Sequence, residues 1–152
     1  MYCGFGKIQT IITTPVQVKH RKRCCIRMKS NSLTILDRLN EILESIELID
    51  EWSRFATNAS DFMMSPNGVM AFNACVMRLQ VIGENVGKLL RDECKPLEGY
   101  DNIPWQAIYN MRNFISHEYS NIDEDIVFSV IKEHLQPLKE TIERIIIKLR
   151  NS

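Results

Sequence analysis

The sequence predicts an all-α protein that folds as an up-and-down bundle of four to five helices. Apolar residues recur at steps of three and four in four successive segments, as they do in helices that bury one face. Ser-Pro and Asp signals precede two of these segments, where helix starts are expected. No segment shows a convincing strand pattern. The 152 residues, 45% hydrophobic and 25% charged, suffice for one domain with one core.

The first 29 residues differ from the rest in charge. Residues 1–29 contain seven basic residues and no acidic one, whereas residues 30–152 contain 12 basic and 19 acidic residues, a net charge of −7. We interpret 1–29 as a basic, disordered N-terminal extension and 30–152 as the helical domain. Two other interpretations are a basic arm that binds nucleic acid and a natural translation start at Met28, directly before the patterned sequence.

The first predicted helix begins near Ser32 and covers about six turns. Trp52 and Phe55 extend its apolar stripe, and the helix ends in the polar stretch TNASD. The stripe consists of Ile35, Leu36, Leu39, Ile42, Leu43, Ile46 and Ile49.

The second predicted helix begins at Ser65-Pro66, a Ser N-cap followed by proline at the first helical position. Gly83 and Gly87 lie four residues apart on one face, and each costs about 1 kcal/mol relative to alanine in a helix interior. We therefore expect another backbone to approach closely there. The residues expected to be buried are Phe72, Val76, Leu79, Ile82, Val86 and Leu89 or Leu90.

Two more helices follow a break at KPLEG. The third opens at Pro104 and runs through IPWQAIYNMRNFISHEY, with an apolar stripe of Trp105, Ile108, Met111 and Ile115. A short turn with an Asp cap leads into the fourth, where Pro137 should kink the helix or divide it in two.

The sequence gives no sign of a membrane span, a disulfide framework or a metal site. No run of about 18 apolar residues exists, so we expect no membrane span. Five cysteines, an odd number with no CxxC pair, favour a reduced cytoplasmic protein over a disulfide framework. No cluster of metal ligands occurs, and we expect neither a metal nor a cofactor.

The segment RNFISHEY at residues 112–119 carries the candidate site. With about 100° per residue, Arg112, Ser116 and Tyr119 project from nearly one side of a helix. Asn113 and His117 share a neighbouring side, one turn apart.

These residue types suit cleavage of a phosphodiester in RNA. A histidine can transfer protons near neutral pH, an arginine offers a charged fork to phosphate oxygens, and no metal is needed. One chain supplies one such histidine, whereas the reaction needs two proton transfers, so the chemistry favours a C2 homodimer. Alternatively, the motif merely caps a helix in a plain interaction bundle. An Arg112 that is excluded from water and paired with one of the chain's own carboxylates would favour that alternative.

The sequence resembles the HEPN superfamily, in particular its HepT-like branch. The branch's motif is an arginine, four to six residues, a histidine, and a tyrosine two positions later, and Arg112, His117 and Tyr119 match it as RxxxxHxY. The surrounding IPWQAIYNMRN, the following SNIDEDIVF and the earlier SPNGVMAFNACVMRLQVIGENVGKL also resemble this branch. The resemblance covers about residues 32–148.

The resemblance implies a HEPN-like bundle and a specific function. HepT-like proteins are toxins of prokaryotic toxin–antitoxin pairs, viewed as metal-independent ribonucleases whose homodimers combine the arginine and histidine of both chains in one cleft. Their partner is a minimal nucleotidyltransferase (MNT) antitoxin that transfers AMP from ATP to the tyrosine. Arg112 and His117 would then be catalytic, Asn113 and Ser116 supporting, and Tyr119 the modified residue.

The charge of the domain raises a second possibility. A net charge of −7 opposes long-range attraction of RNA, so binding would need a local positive cleft, the basic extension or a narrow substrate. The alternative function is a non-catalytic helical binding module that partners a nucleotidyltransferase and accepts AMP.

Overall fold

The computed structural model describes residues 15–117 and 122–151. Within these ranges the regular structure is entirely helical, which confirms the predicted all-α bundle. The elements are α1 (Pro15–Trp52), a short 3₁₀ helix (Ala59–Phe62), α2 (Pro66–Leu90), α3 (Trp105–His117), α4 (Glu124–Ser129), a π-helical turn (Val130–His134) and α5 (Leu135–Arg150).

Helix α1 begins earlier than its apolar stripe indicates. The backbone is helical from Pro15, whereas the stripe predicted a start near Ser32 and disorder before it. No glycine or proline interrupts residues 16–52, and proline is favoured at a first helical position. The start of the stripe therefore does not mark the start of the helix. Residues 1–14 lie outside the described part of the chain, and the extension as a separate unit stays a prediction.

The core lies between α2 and its neighbours. Helix α2 packs against α1 and α3, and α5 packs against α1. The side chains expected to be buried on α2 are buried, and of the last pair it is Leu89 that is buried while Leu90 is 38% exposed. Ser65 caps α2 as predicted, since its side chain accepts a hydrogen bond from the Gly68 N–H at 3.0 Å.

The connection between α1 and α2 corrects one prediction. Phe55 does not extend the apolar stripe: α1 ends at Trp52, and Phe55 is 51% exposed. Phe62 of the 3₁₀ helix is fully buried instead, with its ring edge-on to Phe55 at 5.6 Å. The polar stretch predicted to be only a terminator is thus a capped turn that delivers an aromatic side chain to the core.

The last predicted helix is divided in two, as Pro137 led us to expect, and the division lies before the proline. Proline has no N–H to donate to the carbonyl four residues earlier, and its ring crowds that carbonyl. The chain responds with the π-helical turn that separates α4 from α5.

No described helix is long and apolar enough to cross a membrane.

Candidate active site

The candidate residues lie where α3 packs against α2. Gln80 faces Ser116, Glu84 faces Arg112, and Gly87 lies against Tyr109. Because the residue number falls on α3 as it rises on α2, the two helices run antiparallel.

Gly83 allows this close approach, as the sequence predicted. A Cβ on Gly83 would overlap the Cβ of Arg112 and lie 3.1 Å from the carbonyl oxygen of Ile108. A Cβ on Gly87 would instead meet the ring of Tyr109, at 2.5 Å from Cδ2. Gly83 therefore makes room for the backbone of α3, and Gly87 makes room for a side chain.

Arg112 is held on two sides. Its Nη2 lies 2.9 Å from Glu84 Oε2, and its Nη1 donates to Asn113 Oδ1 at 3.1 Å. The Nε–H is buried and has no hydrogen-bond partner among the described residues. A guanidinium has five N–H donors, so two remain on a side chain that is 34% exposed. This exposure leaves the Arg112 guanidinium accessible to a phosphate.

Glu84 is the anion that positions Arg112. Burial alone would raise the pKa of Glu84, but the hydrogen bond from Lys88 and the charges of Arg112 and Lys88 outweigh it and hold the pKa below its usual value. Its second oxygen, Oε1, lies 3.4 Å from Lys88 Nζ. The carboxylate is therefore ionised at neutral pH and bridges two cations.

Ser116 and His117 occupy different surroundings. The Ser116 hydroxyl donates to the carbonyl of Arg112 at 3.0 Å and accepts from Gln80 Nε2 at 3.3 Å, so it ties α3 to α2. His117 ends α3 and is exposed. It lies about 7.5 Å along the axis from Arg112 and about 140° around it, by ordinary helix geometry. Tyr119 lies outside the described residues.

The structure thus brings together part of the predicted set. Arg112, Asn113 and Ser116 form one cluster on the α2 side, whereas His117 faces solvent. A motif that only caps a helix would have an Arg112 that is both paired with a carboxylate and excluded from water. Arg112 is paired with a carboxylate, but its side chain is not excluded from water.

Sequence reasoning missed the residues that α2 contributes, Gln80 and Glu84. The sequence did contain one indication of Glu84. Glu84 is the single acidic residue of α2 and α3, and it directly follows the glycine that brings the helices together.

Comparisons with known proteins place this site in a family context. A family model described as ribonuclease HepT-like matches residues 42–145, which include Arg112 and His117. The chain is 36% identical over 111 residues to a Methanocaldococcus jannaschii protein named "Gamma-glutamylcyclotransferase and putative RNase"; the match covers 73% of this chain and 47% of that longer protein. It is 30% identical over 109 residues to a "Probable ribonuclease HepT" of Thermococcus cleftensis, covering 72% of this chain and 93% of the relative. No solved structure matches.

Proposed function

This chain belongs to the ribonuclease HepT-like family, and we propose that it is the RNA-cleaving toxin of a prokaryotic toxin–antitoxin pair. The family agrees with the resemblance read from the motif and with the expected class of enzyme, a ribonuclease. The substrate, the roles of individual residues, the dimer and the regulating partner are our proposals.

The observation that carries the proposal is the way Arg112 is held. Glu84 and Asn113 fix the guanidinium from two sides and leave two N–H donors on a partly exposed side chain. A fixed, charged donor pair suits the oxygens of a phosphate that gathers negative charge during reaction. A buried N–H without a partner costs about 1–3 kcal/mol, and a catalytic role is one explanation for keeping such a group.

His117 supplies the proton transfers. The 2′-oxygen of a ribose attacks the adjacent phosphorus and loses its proton to a base. The bond from phosphorus to the 5′-oxygen breaks, and an acid protonates that oxygen. The products are a 2′,3′-cyclic phosphate and a free 5′-hydroxyl. An exposed histidine can act as the base or the acid near neutral pH, and a second copy of His117 completes the pair.

A homodimer that joins next to α3 would supply that second copy. Phe114 is 45% exposed and lies one turn before His117 on the same outer face of α3. Burying this ring against a second chain would bring the two His117 side chains towards one cleft. Arg112 lies about 160° around α3 from Phe114, so its long side chain would reach that cleft from the α2 side of the helix.

The proposed regulation follows the family pattern. A neighbouring nucleotidyltransferase antitoxin transfers AMP from ATP to Tyr119: the phenolic oxygen bonds to the α-phosphorus and pyrophosphate leaves. The product carries a phosphodiester and a base two residues after His117. The added phosphate competes with RNA for Arg112, and the base fills the cleft. Both proteins act in the cytoplasm.

The first test is RNA cleavage by the purified chain in EDTA. We expect cleavage products that carry 2′,3′-cyclic phosphate ends, and no cleavage at a linkage whose 2′-hydroxyl has been replaced by hydrogen. Cleavage of the 2′-deoxy linkage at an equal rate would refute attack by the 2′-oxygen, and complete dependence on a divalent metal would refute the metal-independent mechanism.

The dimer has its own test. Phe114→Glu should convert the dimer to a monomer in sedimentation analysis and abolish cleavage, whereas Ile147→Glu, at a more exposed position on α5, should do neither. Met70 is 69% exposed near the start of α2. A dimer lost through Met70→Glu but not through Phe114→Glu would place the interface away from His117 and refute the composite site.

The pairing of Arg112 with Glu84 favours one second candidate. In this alternative the bundle does not cleave RNA, and it partners the nucleotidyltransferase and accepts AMP on Tyr119. Absence of cleavage, together with a mass increase of one AMP after co-expression that Tyr119→Phe removes, would establish it.

A further inference from the structure

Charge is segregated within the helical domain. Helices α2 and α3 contain one acidic residue, Glu84, against three basic ones, and Arg91 caps the end of α2. The other 18 of the 19 acidic residues lie outside these two helices. The net charge of −7 over residues 30–152 therefore conceals a positive layer, and this layer contains the candidate site.

The excess cations form a line that leads away from Arg112. Glu84, Lys88 and Arg91 are spaced at four and three residues, so they lie on one stripe of α2 that spans about 10 Å. Lys88 has a side chain that is 41% exposed, and Arg91 is exposed. The single carboxylate of this line bridges Lys88 and Arg112. Lys88 and Arg112 thus share one anion, and Arg91 lies one turn further along the stripe, beside Asp92.

Arg91 is held in place by α3. Its guanidinium carbon lies 5.5 Å from the centre of the Tyr109 ring, a cation–π contact. The ring lies against α2 because Gly87 has no side chain there. The neighbouring carboxylate of Asp92 accepts a hydrogen bond from the backbone N–H of Cys94 at 2.9 Å. A stacked, exposed arginine is a common device for holding nucleic acid.

We propose that Lys88 and Arg91 form a binding subsite for single-stranded RNA, engaging the phosphates next to the one that Arg112 holds. This inference rests on the proposed ribonuclease function and names the path of its substrate. A line of cations about 10 Å long fits a polyanionic backbone better than the single phosphate of an AMP group. The acidic remainder of the domain repels RNA from other faces, so this stripe also directs the strand towards Arg112.

The test measures binding and its dependence on salt. The probe is a fluorescein-labelled, single-stranded RNA with 2′-O-methyl groups, which the chain can bind without cleaving it. Each phosphate contact to a single strand contributes about 0.7 to the slope of log affinity against log salt concentration. Lys88→Gln and Arg91→Gln should each reduce the slope by about 0.7, and the double variant by about 1.4. Arg54→Gln removes the same charge near the start of α2, about 30 Å from Lys88, and should leave the slope unchanged.

A kinetic readout separates this inference from the proposed function. With unmodified RNA, Arg91→Gln should raise KM and leave kcat within about twofold, because Arg91 binds substrate away from the reacting atoms. Lys88 shares Glu84 with Arg112, so Lys88→Gln is compared with wild type only in RNA binding. Wild-type cleavage together with unchanged salt slopes in both variants would overturn the subsite alone. RNA binding that depends on Lys88 and Arg91 without any cleavage would support the subsite and overturn the nuclease. Variants that bind RNA normally but lose ATP binding would show that the cations serve a nucleotide, and the subsite would again be overturned.

Discussion

Replacing Gly83 by alanine places a methyl group where α3 already lies. The new Cβ would overlap the Cβ of Arg112 and would lie 3.1 Å from the Ile108 carbonyl oxygen and 3.4 Å from the Arg112 Cα. None of these atoms is the free end of a flexible side chain, so α3 itself must move. Overpacking of this kind lowers the free energy of unfolding by about 1–3 kcal/mol. Replacing a glycine by alanine in a helix interior raises it by about 1 kcal/mol. We expect a net loss of up to about 2 kcal/mol in the free energy of unfolding.

Urea denaturation measures this loss, and Gly87→Ala is its matched control. The methyl group on Gly87 meets the side chain of Tyr109 and no backbone atom of α3, so α3 itself need not move, and with the same gain in helix propensity stability should stay within about 1 kcal/mol of wild type. Because Gly83→Ala displaces Arg112, it should also slow RNA cleavage in protein that remains folded. If Gly83→Ala is more stable than wild type, the close approach of the two helices is wrong.

Three further predictions concern local features of the fold. Ser65→Ala removes the hydrogen bond to the Gly68 N–H and should lower the free energy of unfolding by about 1 kcal/mol in urea titrations; no change would show that the cap does not stabilise α2. Burial raises the pKa of the Cys75 thiol to about 11, so at pH 8 iodoacetamide should modify the exposed Cys94 in the folded protein and spare Cys75. Equal modification in mass spectra would contradict this burial. Folding lowers the pKa of the Glu84 carboxyl. The carboxylate therefore stabilises the fold at every pH above its usual pKa of about 4.3. This stabilisation is lost as the pH falls through the lowered pKa of the folded protein. The difference in free energy of unfolding between wild type and Glu84→Gln should therefore be constant above about pH 5 and shrink in more acidic solution. A difference that grows with acidity would show that folding raises the pKa of Glu84.

Local signals predicted much of the fold. The start of α2 followed from Ser65 and proline at the next position, and the division of the last helix followed from Pro137, because these effects act within one turn of the residue that causes them. The burial of Phe62 was missed. A short capped turn carries no apolar period, so nothing in the sequence separated Phe62 from the exposed Phe55.

The site was predictable in its residue types and less so in its partners. The motif identified Arg112, but its pairing with Glu84 depends on how α2 and α3 align, and periodicity along either helix does not contain that information. The paired glycines indicated that a backbone comes close to α2 without indicating which one. The positive layer was hidden because net charge was counted over the whole domain rather than helix by helix.

The proposed function depends above all on proton transfer by His117 during metal-independent cleavage of RNA. The most direct measurement is the cleavage rate of wild type, His117→Ala and His134→Ala on one RNA in EDTA, with folding checked by circular dichroism. His134 is an exposed histidine in the π-helical turn and serves as the matched control. We expect a loss of about 100- to 10,000-fold for His117→Ala and a wild-type rate for His134→Ala. A folded His117→Ala chain that cleaves RNA at the wild-type rate would contradict this expectation.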